Sequence, residues 1–238
     1  LLSIKKGYSF VIYDIAKFYC KNEMYVQAEE YLKKAMEYEN LNAYFYLSRL
    51  YLNNELEIYN KQEGVKLLKY CATKNFFVAK YTYAKYIIEN GGNISLAIEY
   101  LKDAVNNSVE NAITLMAECY EKGNGVEQNL DKAEQLYIQA AQYGDENAIF
   151  TLIQKYMYGG NFKQDISKVE SMFKLAYFYK EYYSVSFYAK KILEKKINKS
   201  NNEAIALLEE GVKNNCPFSK MQLGECLING IGTKCDVV

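Results

Sequence analysis

Residues 111–144 read NAITLMAECYEKGNGVEQNLDKAEQLYIQAAQYG, and their spacing decides the fold. In the first half, Ala112, Met116, Ala117 and Tyr120 fall at i, i+4, i+5 and i+8. That spacing places all four on one side of an α-helix. Gly123 and Gly125 follow, and glycine accepts the left-handed backbone that ends a helix. In the second half, Ala133, Leu136, Tyr137, Ala140 and Ala141 fall at j, j+3, j+4, j+7 and j+8. This is a second amphipathic helix, with Asp131 in its first turn, where a carboxylate complements the helix dipole.

The first-helix pattern recurs from anchors Val11, Ala43, Ala79, Ala112, Ala148, Ser184 and Ser219, at separations of 32, 36, 33, 36, 36 and 35 residues. At i+5 stand Ala16, Ser48, Ala84, Ala117, Ile153, Ala189 and Gly224, nearly all small, which lets a partner helix approach closely. The second-helix pattern recurs from Ala28, Gly64, Ala97, Ala133, Val169 and Ala204. Its j+7 residues are Ala35, Cys71, Ala104, Ala140, Ala176 and Gly211. A period near 35 residues with two helices per period predicts an all-α solenoid of helix-turn-helix repeats.

These residues carry a family resemblance. Residues 111–144 resemble the Sel-1-like repeat (SLR), a relative of the tetratricopeptide repeat (TPR), whose pattern runs A-x-x-x-L-G-x-x-Y-x-x-G-x-G-V…D-x-x-K-A-x-x-W-Y-x-x-A-A-x-x-G. Residues 219–234, SKMQLGECLINGIGTK, are similar to its first half, and residues 156–161, YMYGGN, keep the Tyr and a Gly pair. The first repeat lacks the Gly turn and resembles a TPR. The resemblance implies a right-handed α/α superhelical solenoid with first helices on the concave side. It implies no particular ligand, because one fold hosts many functions.

Composition agrees and excludes several classes. Half of the residues are apolar and one is Pro, as a packed helical protein requires. At 238 residues a single core is strained, but a repeat array escapes that limit because each repeat packs only on its neighbours. Net charge is zero and Arg49 is the one arginine, so nucleic-acid binding is not expected. No apolar run is long enough to span a membrane. The cysteines, Cys20, Cys71, Cys119, Cys216, Cys226 and Cys235, are irregularly spaced, unlike the paired cysteines of secreted SLR proteins. They read as free thiols in a reducing, cytoplasmic setting. With no His and no C-x-x-C, no zinc site, Ser/His/Asp triad or Cys/His pair is expected. No cofactor is expected, and no enzyme. The opening LLSIKK has no signal-peptide core and reads as lying inside a longer protein.

The expected organisation is a linker or upstream end over residues 1–7, then one solenoid over 8–235. Its repeats are 8–40, 41–75, 76–108, 109–144, 145–181, 182–215 and a partial 216–238. The link NELEIY (54–59) is expected to add a turn of helix. Leu223 and Leu227 of the last helix lack a following partner helix, which suggests end-to-end self-association.

The expected function is a protein-interaction scaffold or adaptor, binding a peptide or partner protein, acidic in character, in the concave groove. The alternative is a regulatory arm of a larger signalling enzyme, such as a kinase or protease. If i, i+4, i+5 and i+8 face the second helix, i+2 and i+6 point into the groove. These positions nominate Tyr13, Phe45, Tyr81 and Phe150 as aromatic surface and Lys17, Arg49, Lys85 and Lys190 as cations. Asn42, Asn111 and Asn147 precede their anchors and would offer amides to a peptide backbone. The competing reading packs the rings between adjacent first helices. The aromatic run 177–183, YFYKEYY, is weighed as a partner patch or as packing across a repeat boundary.

Overall fold

The computed structural model describes residues 2–231, with side chains from Gly7 onward. Among the described residues the chain is entirely helical. Seven first helices are α1 (Leu2–Lys21), α3 (Leu41–Leu52), α5 (Phe77–Asn90), α7 (Glu110–Lys122), α9 (Glu146–Tyr158), α11 (Tyr182–Leu193) and α13 (Pro217–Asn229). Six second helices alternate with them: α2 (Tyr25–Met36), α4 (Lys61–Thr73), α6 (Ile94–Asn106), α8 (Leu130–Gln142), α10 (Ile166–Phe178) and α12 (Asn201–Lys213). The chain divides into two compact units between Leu115 and Met116, within the span of α7. In the first unit α1 to α6 pack in succession, and in the second α8 to α13 do, with α9 and α11 also meeting, as do α11 and α13.

The repeat anchors form the core. Ala43, Ala79, Ala112, Ala148, Ser184 and Ser219 are fully buried, and so are Ala28, Ala97, Ala133, Val169 and Ala204 of the second helices. Large residues fill the j+4 slots: Leu32, Leu68 and Leu101 are inaccessible to solvent. Burying one such leucine contributes roughly 2 kcal/mol. The small anchors are set by close approach. A Cβ on Gly211 would sit 2.0 Å from Ser219 Oγ, so a side chain there would push α12 and α13 apart. The anchor of a first helix thus abuts the second helix before it.

The links repeat as well. After each second helix one residue adopts the left-handed conformation: Glu39, Asn75, Ser108, Gly144, Lys180 and Asn215. The following N–H closes back on the j+7 carbonyl, as Phe76 to Cys71, Val109 to Ala104, Asp145 to Ala140, Glu181 to Ala176 and Cys216 to Gly211. This is the Schellman closure, which satisfies carbonyls left over at a helix end. At the other turn, Asn60, Asn129 and Asp165 cap α4, α8 and α10 with their side chains. Their own N–H groups bond to the carbonyls of Tyr51, Tyr120 and Tyr156.

Two local expectations differ from the structure. The link at 54–59 forms turns and no helix, with Leu56 and Tyr59 N–H groups bonding three residues back. The first helix is also rotated from its expected register. Ser9, Ile12 and Ala16 are buried, whereas Val11 and Ile15 are exposed. The anchor and i+4 positions of an internal first helix are covered by the preceding repeat, and among the described residues no helix precedes α1. Helix α1 also starts at Leu2, so most of the segment assigned to residues 1–7 is continuous with it. Residues beyond Ile231, including Lys234 and Cys235, lie outside the described part.

Candidate functional site

The candidate site is the side of the first helices turned away from the second helices. In an internal first helix the buried positions i, i+4, i+5 and i+8 occupy one half of the helical wheel. The positions i−1 and i+6 lie opposite, flanked by i+2 on one side and i+3 on the other. Geometry along one helix leaves the two flanks equivalent. The structure distinguishes them: i+2 turns toward the following first helix and i+3 toward the preceding one, as Tyr13 meets Tyr46 and Phe150 meets Phe187.

In the first unit, the Tyr13 ring meets Tyr46 edge-on at 6.1 Å between centroids. Arg49 stands exposed beside them and makes no ion pair among the described residues. Burial pushes the Tyr13 hydroxyl above the ordinary tyrosine range, while Lys17 and Arg49 oppose the rise. Burial does the same at Tyr46, where Cys20 adds to the shift and Arg49 again opposes it. The guanidinium thus acts on both phenols. Lys17 lies 5.0 Å from the Tyr13 ring centroid, but its charge is answered by Asp14 at 2.7 Å. Lys85 is partnered by Glu89 at 3.8 Å.

The remaining nominated residues divide. Phe45 packs edge-on to Phe76 at 5.3 Å, on the cluster of Leu68, Cys71 and Ala79. Tyr81 is half-buried. Asn42 is half-buried and its N–H donates to the Asn40 side chain, while Asn111 is exposed. In the second unit Asn147 is exposed, but Phe150 is held between Tyr183 at 5.1 Å and Phe187 at 5.3 Å. Lys190 sits half-buried, 5.9 Å from the Phe218 ring centroid. Ser186, at another i+2 position, is hydrogen-bonded to Ser219. In the aromatic run, Tyr177 donates to Glu210 and Tyr179 to the Gln142 carbonyl, and Phe178 is 75% exposed.

Two residues the sequence reading passed over shape the first unit. Tyr46, at i+3, forms the second wall beside Arg49. Asn40 is buried and joins repeats: its Oδ1 accepts from Asn42 and Ala43 N–H, and its Nδ2 donates to Ser9 Oγ at 2.8 Å. The N-cap preference of Asn before an apolar run was a usable signal for Asn40.

Within each unit, hydroxyl–carboxylate contacts tie neighbouring helices together. Tyr51 donates to Glu29 at 2.6 Å, and Lys33 pairs with the same carboxylate. In the second unit Tyr156 donates to Glu134 at 2.7 Å, which also pairs with Lys168, and Tyr137 and Lys155 converge on Glu121. Each is a hydroxyl from one helix locked to a carboxylate on another. The described cysteines Cys20, Cys71, Cys119, Cys216 and Cys226 are free thiols, and burial pushes Cys71 up to about 12 and Cys119 to about 11. Burial keeps Cys71 and Cys119 as protonated packing groups at neutral pH. Among the described residues no cluster of three or more metal-ligating side chains forms, and no helix is long and apolar enough to cross a membrane.

No family model and no curated protein matches the chain in sequence. Solved structures do match in fold. The crystal structure of a Sel1 repeat protein from Oxalobacter formigenes superposes with a TM-score of 0.75 at 20% identity, covering 94% of each chain. The c5321 protein, a protective antigen of uropathogenic Escherichia coli strains with an SLR fold, gives a TM-score of 0.67 at 20% identity. That match covers 97% of this chain and 51% of the antigen. The chain described above therefore has the Sel1-like repeat fold, an all-α solenoid of helix pairs.

Proposed function

We propose that the chain is a protein-interaction scaffold that seats an acidic peptide or partner segment on the open face of its first helices in the N-terminal unit. One observation carries this reading: Arg49 is exposed, pairs with no carboxylate among the described residues, and is flanked by Tyr13 and Tyr46. Arginine and tyrosine are the usual anchors of protein interfaces, and a guanidinium takes a carboxylate through two parallel hydrogen bonds. Lys17 and Lys85 contribute less, because each already has a carboxylate within reach. Asn42 adds an amide on the same stripe. The fold of the structural neighbours supports a scaffold over an enzyme, and the free thiols suit a reducing cytoplasmic compartment. End-to-end self-association would use α13, where Met221 is exposed and Leu223 and Leu227 are half-buried.

The test is selection of peptides from a random library on the purified chain, followed by affinity measurement with Arg49→Glu and Lys190→Glu variants. Acidic peptides should be enriched, and Arg49→Glu should weaken them at least about tenfold. Lys190→Glu, in the other unit, should leave them unchanged. Peptides that bind Arg49→Glu as they bind the unaltered chain would sink the assignment.

A further inference from the structure

Outside the open face, the first unit has a notch of about 280 Å³ lined by Leu52, Asn54, Tyr59, Lys61, Tyr86 and Asn90. It lies where the turn of one repeat meets the end of the next repeat's first helix. A counterpart of about 300 Å³ occupies the equivalent place in the second unit, between Met157, Tyr158, Asp165 and Lys196. The repeat geometry therefore leaves a recess at this point, and the lining residues decide what it accepts.

The first notch is built around a cation that pairs with no carboxylate among the described residues. Lys61 occupies the first helical position of α4. A cation there is opposed by the positive end of the helix dipole. The same position in the other second helices holds Tyr25, Ile94, Leu130, Ile166 and Asn201, none of them charged. Lys61 thus departs from both the electrostatic rule and the pattern of its own chain, and such departures mark functional positions. Glu63 and Glu89 are committed elsewhere: Glu63 pairs with Lys66 at 3.2 Å and Glu89 with Lys85 at 3.8 Å, and Glu55 and Glu57 of the 54–59 link form no ion pair with Lys61. The ammonium has a long contact to Asn90 Oδ1 at 3.4 Å and lies 5.8 Å from the Tyr86 ring centroid. The Asn90 amide is itself pinned, since its Nδ2 donates to the Tyr86 carbonyl at 3.1 Å.

We infer that this notch is a receptor for one carboxylate on a short aliphatic stem, the side chain of a Glu or Asp in a bound peptide. Lys61 supplies the charge. Asn54 offers a further amide donor, and Leu52 with the Tyr59 and Tyr86 rings forms walls for methylene groups. A single ammonium matches a single negative charge. The notch holds no arginine and no second cation to meet a phosphate. No residue of the notch belongs to the open face, so the two assignments stand or fall separately.

The experiment is a nitrogen-15 NMR titration that follows the side-chain amides of Asn54 and Asn90. The probes are N-acetyl-glutamate amide, its neutral glutamine analogue and inorganic phosphate. N-acetyl-glutamate amide should give saturable shifts at both amides, and the glutamine analogue none. Lys61→Gln should weaken the glutamate probe about tenfold, as loss of one charge-assisted contact requires, and Lys61→Arg should retain it. Lys61 is exposed in the first turn of its helix, and the same spectra report that each variant is folded. Equal response to the glutamine analogue, or unchanged affinity in Lys61→Gln, would overturn the assignment. Tighter binding of phosphate than of the glutamate probe would overturn the choice of ligand.

Discussion

The two units use the same repeat positions in opposite ways. In the first unit Tyr13 and Tyr46 meet edge-on and leave a guanidinium exposed beside them. In the second unit Phe150 is clasped between Tyr183 and Phe187, and Lys190 is drawn toward Phe218. An aromatic ring at i+2 is therefore not in itself a binding surface. What separates the units is exposure: Arg49 stands open to solvent beside its rings, whereas Lys190 is half-buried against Phe218.

The sharpest way to break that contrast is truncation of the rings. Phe150→Ala should cost about 3 kcal/mol in urea unfolding, because it empties a space between two rings. Tyr13→Ala should cost less than half as much. Equal costs would mean that both faces are packing surfaces.

A smaller effect tests the frame that the two units share. Tyr51→Phe and Tyr156→Phe should each destabilise by about 1 kcal/mol, since each leaves Glu29 or Glu134 short of one donor. A large difference between the two would show that the locks are not equivalent.

The locks also set a pH dependence. Burial raises Glu29 and Glu134, but the lysine and tyrosine donors outweigh it and the net shift is downward. A lowered folded value means the stabilisation is full above the ordinary carboxylate range and is lost as pH falls through the lowered value. Tyr51 moves the other way. Burial, then Glu29, push its hydroxyl up to about 12. Its stabilisation is full below the ordinary tyrosine value and is lost as pH rises toward about 12. Denaturation curves across pH should show both losses in the unaltered chain. Tyr51→Phe should flatten the alkaline loss, and an unchanged profile would remove the lock from the account.

The smallest expected change in stability belongs to Arg49→Glu, within about 0.5 kcal/mol, because the side chain is exposed and makes no ion pair among the described residues. Its effect should appear in peptide binding alone. A clear loss of thermal stability would show that Arg49 supports the Tyr13–Tyr46 pair and is not held ready for a ligand.

The recurring spacing made much of the fold readable. Ala43, Ala79, Ala112 and Ala148 are buried as small residues on one helical side must be, and the glycines near residue 123 mark a turn that the structure contains. The inter-repeat turns were less readable. Gly144 advertises its left-handed backbone, but Glu39, Ser108 and Lys180 adopt the same conformation without any such signal. The Schellman closure and the packing around it outweigh the local cost of φ above zero. In α1 the pattern was legible but its register was not. Val11 and Ile15 match the anchor spacing, yet their burial requires a preceding helix.

The sequence alone determined which half of each internal first helix is buried, because 3.6 residues per turn fixes the angular order of i, i+4, i+5 and i+8. It also determined the alternation of first and second helices. It could not determine which flank of the open half faces the following repeat and which the preceding one. Positions i+2 and i+3 lie about equally far from the centre of that half, and no property of a single helix separates them. The tertiary structure chose, by the side on which the next repeat stacks. That choice hid Phe45 and Phe150 between helices and left Tyr46 beside Arg49.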